Sequence, residues 1–189
     1  MSEVNIFGKG GHAKVIKSII EHNIDEELGT IMDDKDYLKI DTGHWIIGIG
    51  DNTIRKERAY GILKNESFYT LISKSCILPK DNNIGKGSVI FHGAIIQTNT
   101  KIGNHCIINT NANVDHDCVI GDFVHIAPGC TLCGNVSIGE GTFIGAGTTI
   151  IPGITIGKNC IIGAGSTVVR DIPDNTKAFG NPCTFKELL

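Results

Sequence analysis

A histidine flanked by two acids is the part of the sequence best suited to proton transfer. His116 lies between Asp115 and Asp117. A carboxylate beside an imidazole can fix the tautomer of the ring and stabilise its protonated form. Such a histidine suits the role of a general base, which takes a proton from an attacking nucleophile. Either acid could be the partner, and the sequence leaves that choice open.

A glycine turn near the start of the chain suits phosphate binding. Gly8-x-Gly10-x-x-Ala13 precedes a segment with helical periodicity, and Asp33 and Asp34 follow about 20 residues later, as in dinucleotide-binding fingerprints. The N-terminus of a helix behind such a turn attracts phosphate groups. A unit of this small size suits a mononucleotide or a nucleotide sugar better than a dinucleotide. A purely structural glycine turn is the remaining alternative.

A six-residue repeat must position the histidine. Every sixth residue is aliphatic over fifteen successive positions: Ile84, Ile90, Ile96, Ile102, Ile108, Val114, Ile120, Ile126, Leu132, Ile138, Ile144, Ile150, Ile156, Ile162 and Val168. An α-helix cannot use this period, because six residues rotate its face by about 240°. Short strands separated by turns can use it, with three sides forming a coil of 18 residues. The repeat therefore predicts a β-helix of five full coils.

A slower period supports the triangular coil. Glycine follows the aliphatic residue at five positions eighteen residues apart, where a positive φ or a close backbone approach would favour it: Gly85, Gly103, Gly121, Gly139 and Gly157. The fifth place of each hexad is mostly small and holds four of the seven cysteines. We interpret these cysteines as compact buried side chains. Only Cys130 and Cys133 have the CxxC spacing of a metal or redox site.

Residues eighteen apart should therefore stack one coil above another, at about 5 Å. Gly134 would lie directly beyond His116, where its N–H could stabilise an oxyanion. Ala146 and Ala164 would stack on Pro128. This column of small residues could make room for an extended ligand, although tight packing between subunits would explain it equally well.

The first third of the chain lacks the repeat and is predicted to form a Rossmann-like α/β unit. Strands are expected over 4–7, 28–32, 45–49 and 68–72, and helices over 12–22 and 53–64. This alternation predicts a small parallel sheet covered by helices. Its ligand should lie beyond the carboxyl ends of the strands, at the glycine turn, Asp33-Asp34 and Gly50-Asp51. We place the domains at 1–75 and 76–189, the second including a C-terminal tail.

Composition argues against several classes of protein. The net charge is −3 and there is no basic run, so a nucleic-acid partner is not expected. No stretch reaches the roughly 20 apolar residues of a membrane span, and the first residues do not read as a signal peptide. An odd number of cysteines does not suggest a disulfide framework. The expected location is the cytoplasm, without a membrane partner.

The hexad pattern resembles the hexapeptide-repeat acyltransferase superfamily, whose fold is a left-handed parallel β-helix, normally a trimer. With the small N-terminal domain, the whole chain is similar to the bacterial sugar O/N-acetyltransferases. These include the sialic-acid O-acetyltransferase and UDP-4-amino-sugar N-acetyltransferase types. The match includes 6–12, Asp33-Asp34, Gly48-Ile49-Gly50 and Gly180-Asn181-Pro182.

The resemblance implies roles for the β-helix residues. It makes His116 the general base, Asp117 the acid that raises its basicity, and Gly134 the donor to the acetyl oxygen. The 4-amino-sugar enzymes typically have Glu where this chain has Asp117, so Asp115 remains a rival partner. The resemblance places acetyl-CoA against His125 and along the column that contains Ala146 and Ala164.

The resemblance and the strand ends together imply a substrate site in the N-terminal domain. Its candidate residues are His12, Ala13, Lys14, Asp33, Asp34 and Gly50. The expected reaction acetylates the 4-amino group of a nucleotide-linked, UDP-type 4-amino-4,6-dideoxy sugar. It needs no metal, and a homotrimer should place the active sites between subunits. His92 and His105 are expected to be surface or interface residues.

Three rival functions stay open. O-acetylation of a sialic-acid-like sugar would use the same base. A carbonic anhydrase on the same helix would need a histidine ligand at position 121, which is Gly121. A non-catalytic β-helix scaffold is the third alternative, and the acids around His116 argue against it.

Overall fold

The chain forms a small α/β unit followed by a parallel β-helix, in a computed structural model that describes residues 2–23, 25–38, 43–80 and 83–188. Strand β1 (Ser2–Phe7) lies at the centre of a parallel sheet, between β2 (Glu26–Met32) and β3 (His44–Ile47). Helices α1 (Gly11–His22) and α2 (Asn52–Tyr60) follow β1 and β3. The predicted Rossmann-like unit is confirmed.

The fourth strand expected over 68–72 is divided between two sheets. Phe68 makes a single parallel bridge to Trp45 in the small sheet. Strand β4 (Leu71–Ile72) instead pairs with Val89–Ile90 of the β-helix. Leu71 and Val89 are buried together with the apolar side of α1. The chain therefore enters the β-helix before the hexad pattern becomes visible in the sequence.

Each hexad contributes one short strand to a side of the β-helix. These strands are β5 (Asn83–Ile84), β6 (Val89–Ile90), β7 (Ile95–Ile96), β8 (Lys101–Ile102), β9 (Ile107–Ile108), β10 (Asn113–Val114), β11 (Val119–Ile120), β12 (His125–Ile126), β13 (Thr131–Leu132), β14 (Ser137–Ile138), β15 (Phe143–Ile144), β16 (Thr149–Ile150), β17 (Thr155–Ile156), β18 (Ile161–Ile162) and β19 (Thr167–Val168). At the C-terminal end, β20 (Thr176–Phe179) pairs with β18 and with the antiparallel strand β21 (Thr184–Leu188).

The strands form three flat faces. Face 1 has the order β21-β20-β18-β15-β12-β9-β6-β4, face 2 the order β19-β16-β13-β10-β7, and face 3 the order β17-β14-β11-β8-β5. Paired residues on neighbouring coils are eighteen apart, as in His125 opposite Phe143. The β-helix has about six turns, more than the five expected, because strands outside the hexad run extend face 1 at both ends.

The repeated aliphatic residues fill the interior. Every one from Ile90 to Val168 is at most 3% exposed, and together they form one continuous core. The predicted inward direction of these side chains is confirmed. Apolar burial of this extent stabilises the coils without a disulfide.

The glycines that recur every eighteen residues are explained by close packing. None of them has a positive φ. A Cβ at Gly85 would lie 2.5 Å from the carbonyl carbon of Gly103, and one at Gly139 would lie 2.6 Å from that of Gly157. Successive coils therefore approach too closely at this corner for any side chain.

The small residues at the fifth place of the hexads donate hydrogen bonds as well as filling space. The hydroxyl of Ser88 donates to the carbonyl of Gly103 at 2.8 Å, and the thiol of Cys106 donates to that of Gly121 at 3.0 Å. Cys118, Cys130 and Cys160 make similar contacts to carbonyls of the next coil. The interpretation of these cysteines as compact buried side chains is confirmed, and each also donates to a backbone carbonyl.

Candidate active site

His116 and Gly134 lie together at the corner between faces 2 and 3. Each follows a strand of face 2, β10 or β13, and these two strands pair in register. A Cβ on Gly134 would lie 2.6 Å from both Cε1 and Nε2 of His116. The predicted stacking of these two residues is confirmed, and the imidazole occupies the space that a side chain at position 134 would need.

The two acids beside His116 point in different directions. The Nδ1–H of His116 donates to Oδ2 of Asp117 at 2.8 Å. Oδ1 of Asp115 instead accepts the backbone N–H of His116 at 2.8 Å. Asp117 lies in the left-handed region, with φ at 58°. The hydrogen bond to Asp117 raises the pKa of His116, and the charge of Asp115 raises it further.

A third polar residue, Asn99, supports this pair. Its Nδ2–H donates to Oδ1 of Asp117 at 3.2 Å. The hydrogen bonds from His116 and Asn99 together lower the pKa of Asp117. Asn99 was not among the predicted residues, although it lies eighteen residues before Asp117 and the same spacing rule indicates it.

The backbone at Gly134 is open on the side of the imidazole. Its carbonyl accepts the N–H of Gly153 at 3.0 Å, and the N–H of Asn135 goes to the carbonyl of His116 at 2.9 Å. Within the described ranges no group accepts a hydrogen bond from the N–H of Gly134 itself. This corner therefore combines a polarised imidazole with an unused backbone donor.

A second group of predicted residues meets where the α/β unit packs on face 1. His125 lies at the start of β12 and is 9% exposed. Its Nδ1–H donates to the carbonyl of Gly50 at 3.1 Å, and its Nε2 accepts from Nδ2 of Asn109 at 3.1 Å. Burial and the nearby charge of Arg55 lower the pKa of His125 to about 4. It is a neutral hydrogen-bonding residue at pH 7.

His12 belongs to the same group. Its ring stacks on Phe91 with centroids 5.1 Å apart and lies 6.3 Å from the ring of His125. Burial lowers the pKa of His12 to about 3. Its Nε2 is buried and has no hydrogen-bond partner among the described residues. His12 and Gly50 were predicted for the substrate site and His125 for the acetyl-CoA site. The structure brings these three residues together.

A cavity of about 790 Å³ opens beside this group. It is lined by the N-terminal turn of α2, by His125 and by the next two residues on face 1, Phe143 and Ile161. A smaller cavity of about 270 Å³ lies on face 2 beside Asp115 and Cys133. The larger cavity has the volume typical of small-molecule sites.

The remaining predicted residues have varied environments. Ala146 and Ala164 are exposed and stack on Pro128 at the corner between faces 1 and 2. Ala13 is buried, with its methyl group packed towards Gly48. Three further predicted residues, Lys14, Asp33 and Asp34, line neither of the two cavities. Lys14 is exposed. Oδ2 of Asp33 lies 4.0 Å from Nζ of Lys9, and Oδ1 of Asp34 forms an ion pair with Nε of Arg58 at 2.7 Å.

The prediction for His105 was wrong. It is 7% exposed and lies between Phe68 and Phe123, with ring centroids 4.5 and 4.9 Å away. The α/β unit covers this corner of the β-helix, which a hexad pattern cannot reveal. His92 is half-buried, and its Nδ1 is 2.7 Å from the hydroxyl of Ser73.

The predicted catalytic and cofactor residues of one chain do not form a single site. His116 and Gly134 are at the corner between faces 2 and 3, whereas His125 is on face 1 and Ala146 is at the corner between faces 1 and 2. Across the described ranges, three or more metal-ligating side chains do not gather at any point. Neither helix in that part of the chain has the length and apolar character to cross a membrane.

Two family models match the chain. The model for the bacterial transferase hexapeptide (six repeats) matches residues 99–134 and 135–170. The model for the PglD N-terminal domain matches residues 3–43. Together they cover parts of both structural units, the β-helix and the α/β unit.

Solved structures resemble the whole chain. One is a histidine-to-asparagine variant of perosamine N-acetyltransferase from Caulobacter crescentus in complex with CoA and GDP-perosamine. It is 31% identical, with 99% of this chain and 98% of that chain covered and a TM-score of 0.90. Another is the acetyltransferase domain of PglB from Neisseria gonorrhoeae in complex with acetyl coenzyme A, at 29% identity, 98% and 99% coverage and a TM-score of 0.90.

A curated relative matches over a shorter stretch. UDP-N-acetylbacillosamine N-acetyltransferase from Bacillus subtilis is 41% identical over 112 residues, which cover 48% of this chain and 51% of the relative. The match thus spans about half the length of that protein.

Proposed function

This chain belongs to the hexapeptide-repeat family of bacterial sugar acetyltransferases, and from that premise we propose its reaction. It transfers the acetyl group of acetyl-CoA to the 4-amino group of a nucleotide-linked 4-amino-4,6-dideoxy sugar, with UDP as the expected nucleotide. The observation that carries this proposal is the corner at which His116, held by Asp117, lies over Gly134. The relatives bind CoA or acetyl-CoA and, in one case, a nucleotide-linked amino sugar.

His116 is the proposed general base. Because its Nδ1–H is donated to Asp117, the lone pair of Nε2 is available to a substrate. Nε2 accepts a proton from the amine as the nitrogen attacks the thioester carbonyl. The carboxylate of Asp117 then stabilises the imidazolium that forms. The hydrogen bond to the ring makes Asp117 the better candidate partner than Asp115.

Gly134 is the proposed oxyanion donor. As the amine adds, the carbonyl oxygen of the acetyl group gains negative charge, which an unused backbone N–H can stabilise. Collapse of the tetrahedral intermediate breaks the carbon–sulfur bond and releases the CoA thiolate. The proton held by His116 moves to that sulfur, which leaves the amide product and free CoA thiol. No metal takes part in these steps.

The two substrates are assigned to different parts of the chain. Acetyl-CoA is expected along His125, Ala146 and Ala164 in the domain 76–189. The nucleotide sugar is expected in the domain 1–75, at residues His12, Ala13, Lys14, Asp33, Asp34 and Gly50. The cavity beside Gly50 and His125 supports this arrangement, because it is bounded by both parts. The cytoplasmic location expected from the sequence stays a prediction.

We further propose that the active site forms between two subunits of a homotrimer. The corner with His116 and the face with His125 are separated within one chain, which supports a site in which the corner of one subunit meets the face of the next. Mixing the two variants His116→Ala and His125→Ala tests this. Randomly mixed trimers should recover about a quarter of the wild-type activity, because a quarter of their interfaces carry neither substitution. Mixtures as inactive as the separate variants would rule out shared sites.

An acceptor panel tests the reaction itself. UDP-, dTDP- and GDP-linked 4-amino sugars and a sialic-acid-like hydroxyl acceptor are supplied with acetyl-CoA, and thiol release is followed. We expect the highest kcat/KM with the UDP-linked amine, and a loss of about 10²- to 10⁴-fold in kcat for His116→Ala. His22→Ala, an exposed histidine elsewhere, serves as the control. Unchanged turnover in His116→Ala would disprove the mechanism, and preference for the hydroxyl acceptor would disprove the N-acetylation.

A further inference from the structure

Arg55 is a buried cation at the junction of the two parts of the chain. It lies in α2 and is 1% exposed. Its Nε–H donates to the carbonyl of His105 at 2.8 Å, and Nη2 donates to the carbonyl of Phe123 at 2.9 Å. These carbonyls belong to the same corner of successive coils, between faces 3 and 1. One edge of the guanidinium thus holds two coils of the β-helix.

The other edge of Arg55 holds the segment that follows β3 and the first residue of α2. Nη1 donates to the carbonyls of Ile49 and Gly50 at 3.2 and 3.1 Å, and Nη2 donates to Oδ1 of Asn52 at 2.8 Å. All five N–H groups of the guanidinium are therefore used. Only a planar fork of this size can satisfy acceptors on both sides at once.

Stability alone does not account for this arrangement. No salt bridge to Arg55 occurs within the part of the chain that the structure describes, and burial lowers its pKa to about 10. Removing a cation from water is costly, and an apolar side chain of similar shape often serves stability as well or better. The particular acceptors that Arg55 holds are therefore informative.

The carbonyl of Gly50 links Arg55 to His125. The same oxygen accepts from Arg55 and from Nδ1–H of His125 at 3.1 Å. On the far side of the ring, Nε2 accepts from Asn109, whose Oδ1 is in turn occupied by the N–H of Thr110 at 2.8 Å. The amide of Asn109 is thereby oriented with its NH₂ towards the ring. Both contacts require neutral His125 with its proton on Nδ1.

We propose that Arg55 is a positioning residue that holds the carbonyl of Gly50 and, through it, the orientation and tautomer of His125. Arg55 thus couples the strand end assigned to the nucleotide sugar with the residue assigned to acetyl-CoA. The identity of the two ligands rests on the proposed function, whereas the control of the His125 ring by Arg55 does not.

The variants Arg55→Met and Arg55→Lys test this, with Lys56→Met as a matched control. Lys56 is the next residue and also joins the two parts, through Glu140 at 2.6 Å, but it does not contact Gly50. Imidazole ¹⁵N NMR reports the tautomer of His125 without any substrate. We expect the Nδ1–H form in the wild type and in Lys56→Met, and a mixture or the Nε2–H form in Arg55→Met.

Kinetics supply the second readout. In Arg55→Met, KM for both substrates should rise about tenfold, by analogy with the loss of a residue that orients a metal-ligating histidine, while kcat stays near that of the wild type. Lys56→Met should keep both constants. If Arg55→Met does not fold, Arg55→Lys keeps the charge but reaches fewer carbonyls, and its His125 tautomer decides the question.

The two failures are distinguishable. An unchanged His125 tautomer in folded Arg55→Met or Arg55→Lys overturns the positioning role, whatever the enzyme acetylates. An altered tautomer supports it, even if none of the acceptors in the panel is used. A fall in kcat with unchanged KM in folded Arg55→Met would also contradict the proposal, because it would indicate a role in the chemical step.

Discussion

Histidines occur in two opposite electrostatic environments in this molecule. At the exposed corner, the side chain of His116 is 55% accessible and its pKa is raised by a carboxylate. At the junction between the α/β unit and the β-helix, burial lowers the pKa values of His12, His105 and His125 to between about 3 and 4. Only the first environment suits proton transfer near neutral pH, because a general base must be able to hold the proton it receives.

The two regions also differ in how the chain assembles them. The corner uses neighbours in sequence and residues eighteen apart, as in His116 with Asp117 and Gly134. The junction uses distant residues, as in Arg55 with His105 and Phe123. In this molecule, repetition brings the polar groups of the corner together, whereas the buried polar network forms where two parts of the chain meet.

After the loss of His116 itself, the largest expected effect at the corner comes from Gly134→Ala. The new methyl group would displace the imidazole of His116, whose side chain is 55% exposed, so the folded state should lose little stability. A misplacement of about 1 Å can cost about 10²-fold in rate, and we expect a loss of kcat of that order. Steady-state kinetics and thermal melting of the variant measure the two effects.

Gly139→Ala is the matched control. Its Cβ would strike the backbone of Gly157 and Lys158 at 2.6 Å, which cannot move aside as a side chain can. We expect a loss of about 2 kcal/mol in the free energy of unfolding, with kcat close to wild type for the folded fraction. Equal kinetic losses in both variants would contradict the specific role of position 134.

The next effect separates the two acids. Asp117→Asn removes the carboxylate whose hydrogen bond contributes most to the raised pKa of His116, whereas Asp115→Asn removes a charge that raises this pKa only through space. Asp117→Asn should lower kcat, although by less than the loss of His116 itself, and move the acid limb of the kcat/KM profile to lower pH. A larger shift in Asp115→Asn would identify that residue as the partner.

The junction should make the protein sensitive to acid. His105 and His125 have folded pKa values of about 4 against 6.5 when unfolded, so unfolding takes up protons between these values. Each neutral histidine contributes stability above pH 6.5 that is lost as the pH falls towards 4, by up to about 1.4 kcal/mol per pH unit. His116 acts in the opposite direction, because its raised pKa favours folding at low pH. Thermal melts from pH 4 to pH 8 measure the sum.

His105→Phe sharpens this test. The ring of His105 already packs between two phenylalanines, and its buried Nδ1 has no hydrogen-bond partner among the described residues. Phenylalanine keeps the packing and removes one titrating group, so the variant should lose less stability on acidification. A pH dependence identical to that of the wild type would show that this histidine does not titrate on unfolding.

The smallest expected effect is that of Asn99→Ala. Its hydrogen bond to Asp117 is exposed, and exposed interactions of this kind contribute about 1 kcal/mol or less. We expect kcat to fall a few-fold, with a shift of the pH profile in the same direction as in Asp117→Asn. Loss of activity beyond that of Asp117→Asn would require a direct role for Asn99 in the reaction.

Much of the fold could be predicted from the sequence. An aliphatic residue at every sixth position does not fit an α-helix but fits short strands separated by turns, and the strict spacing then places Gly134 over His116. The extra coil at Leu71 was not visible, because the small sheet and the first coil share one apolar segment. The six-residue spacing therefore predicted the corner of the candidate site. It did not predict where the β-helix begins, because that segment lacks the spacing.

The sequence by itself determined the repeat, its period and the neighbours that the period creates, because each contact joins residues at a constant separation. Only the tertiary structure decided that Asp117 rather than Asp115 holds the imidazole, since that depends on which way each side chain points at one corner. It alone decided the burial of Arg55 and His105 as well. Their contacts join two parts of the chain that are distant in sequence. A periodic pattern within one part does not predict how the two parts pack together.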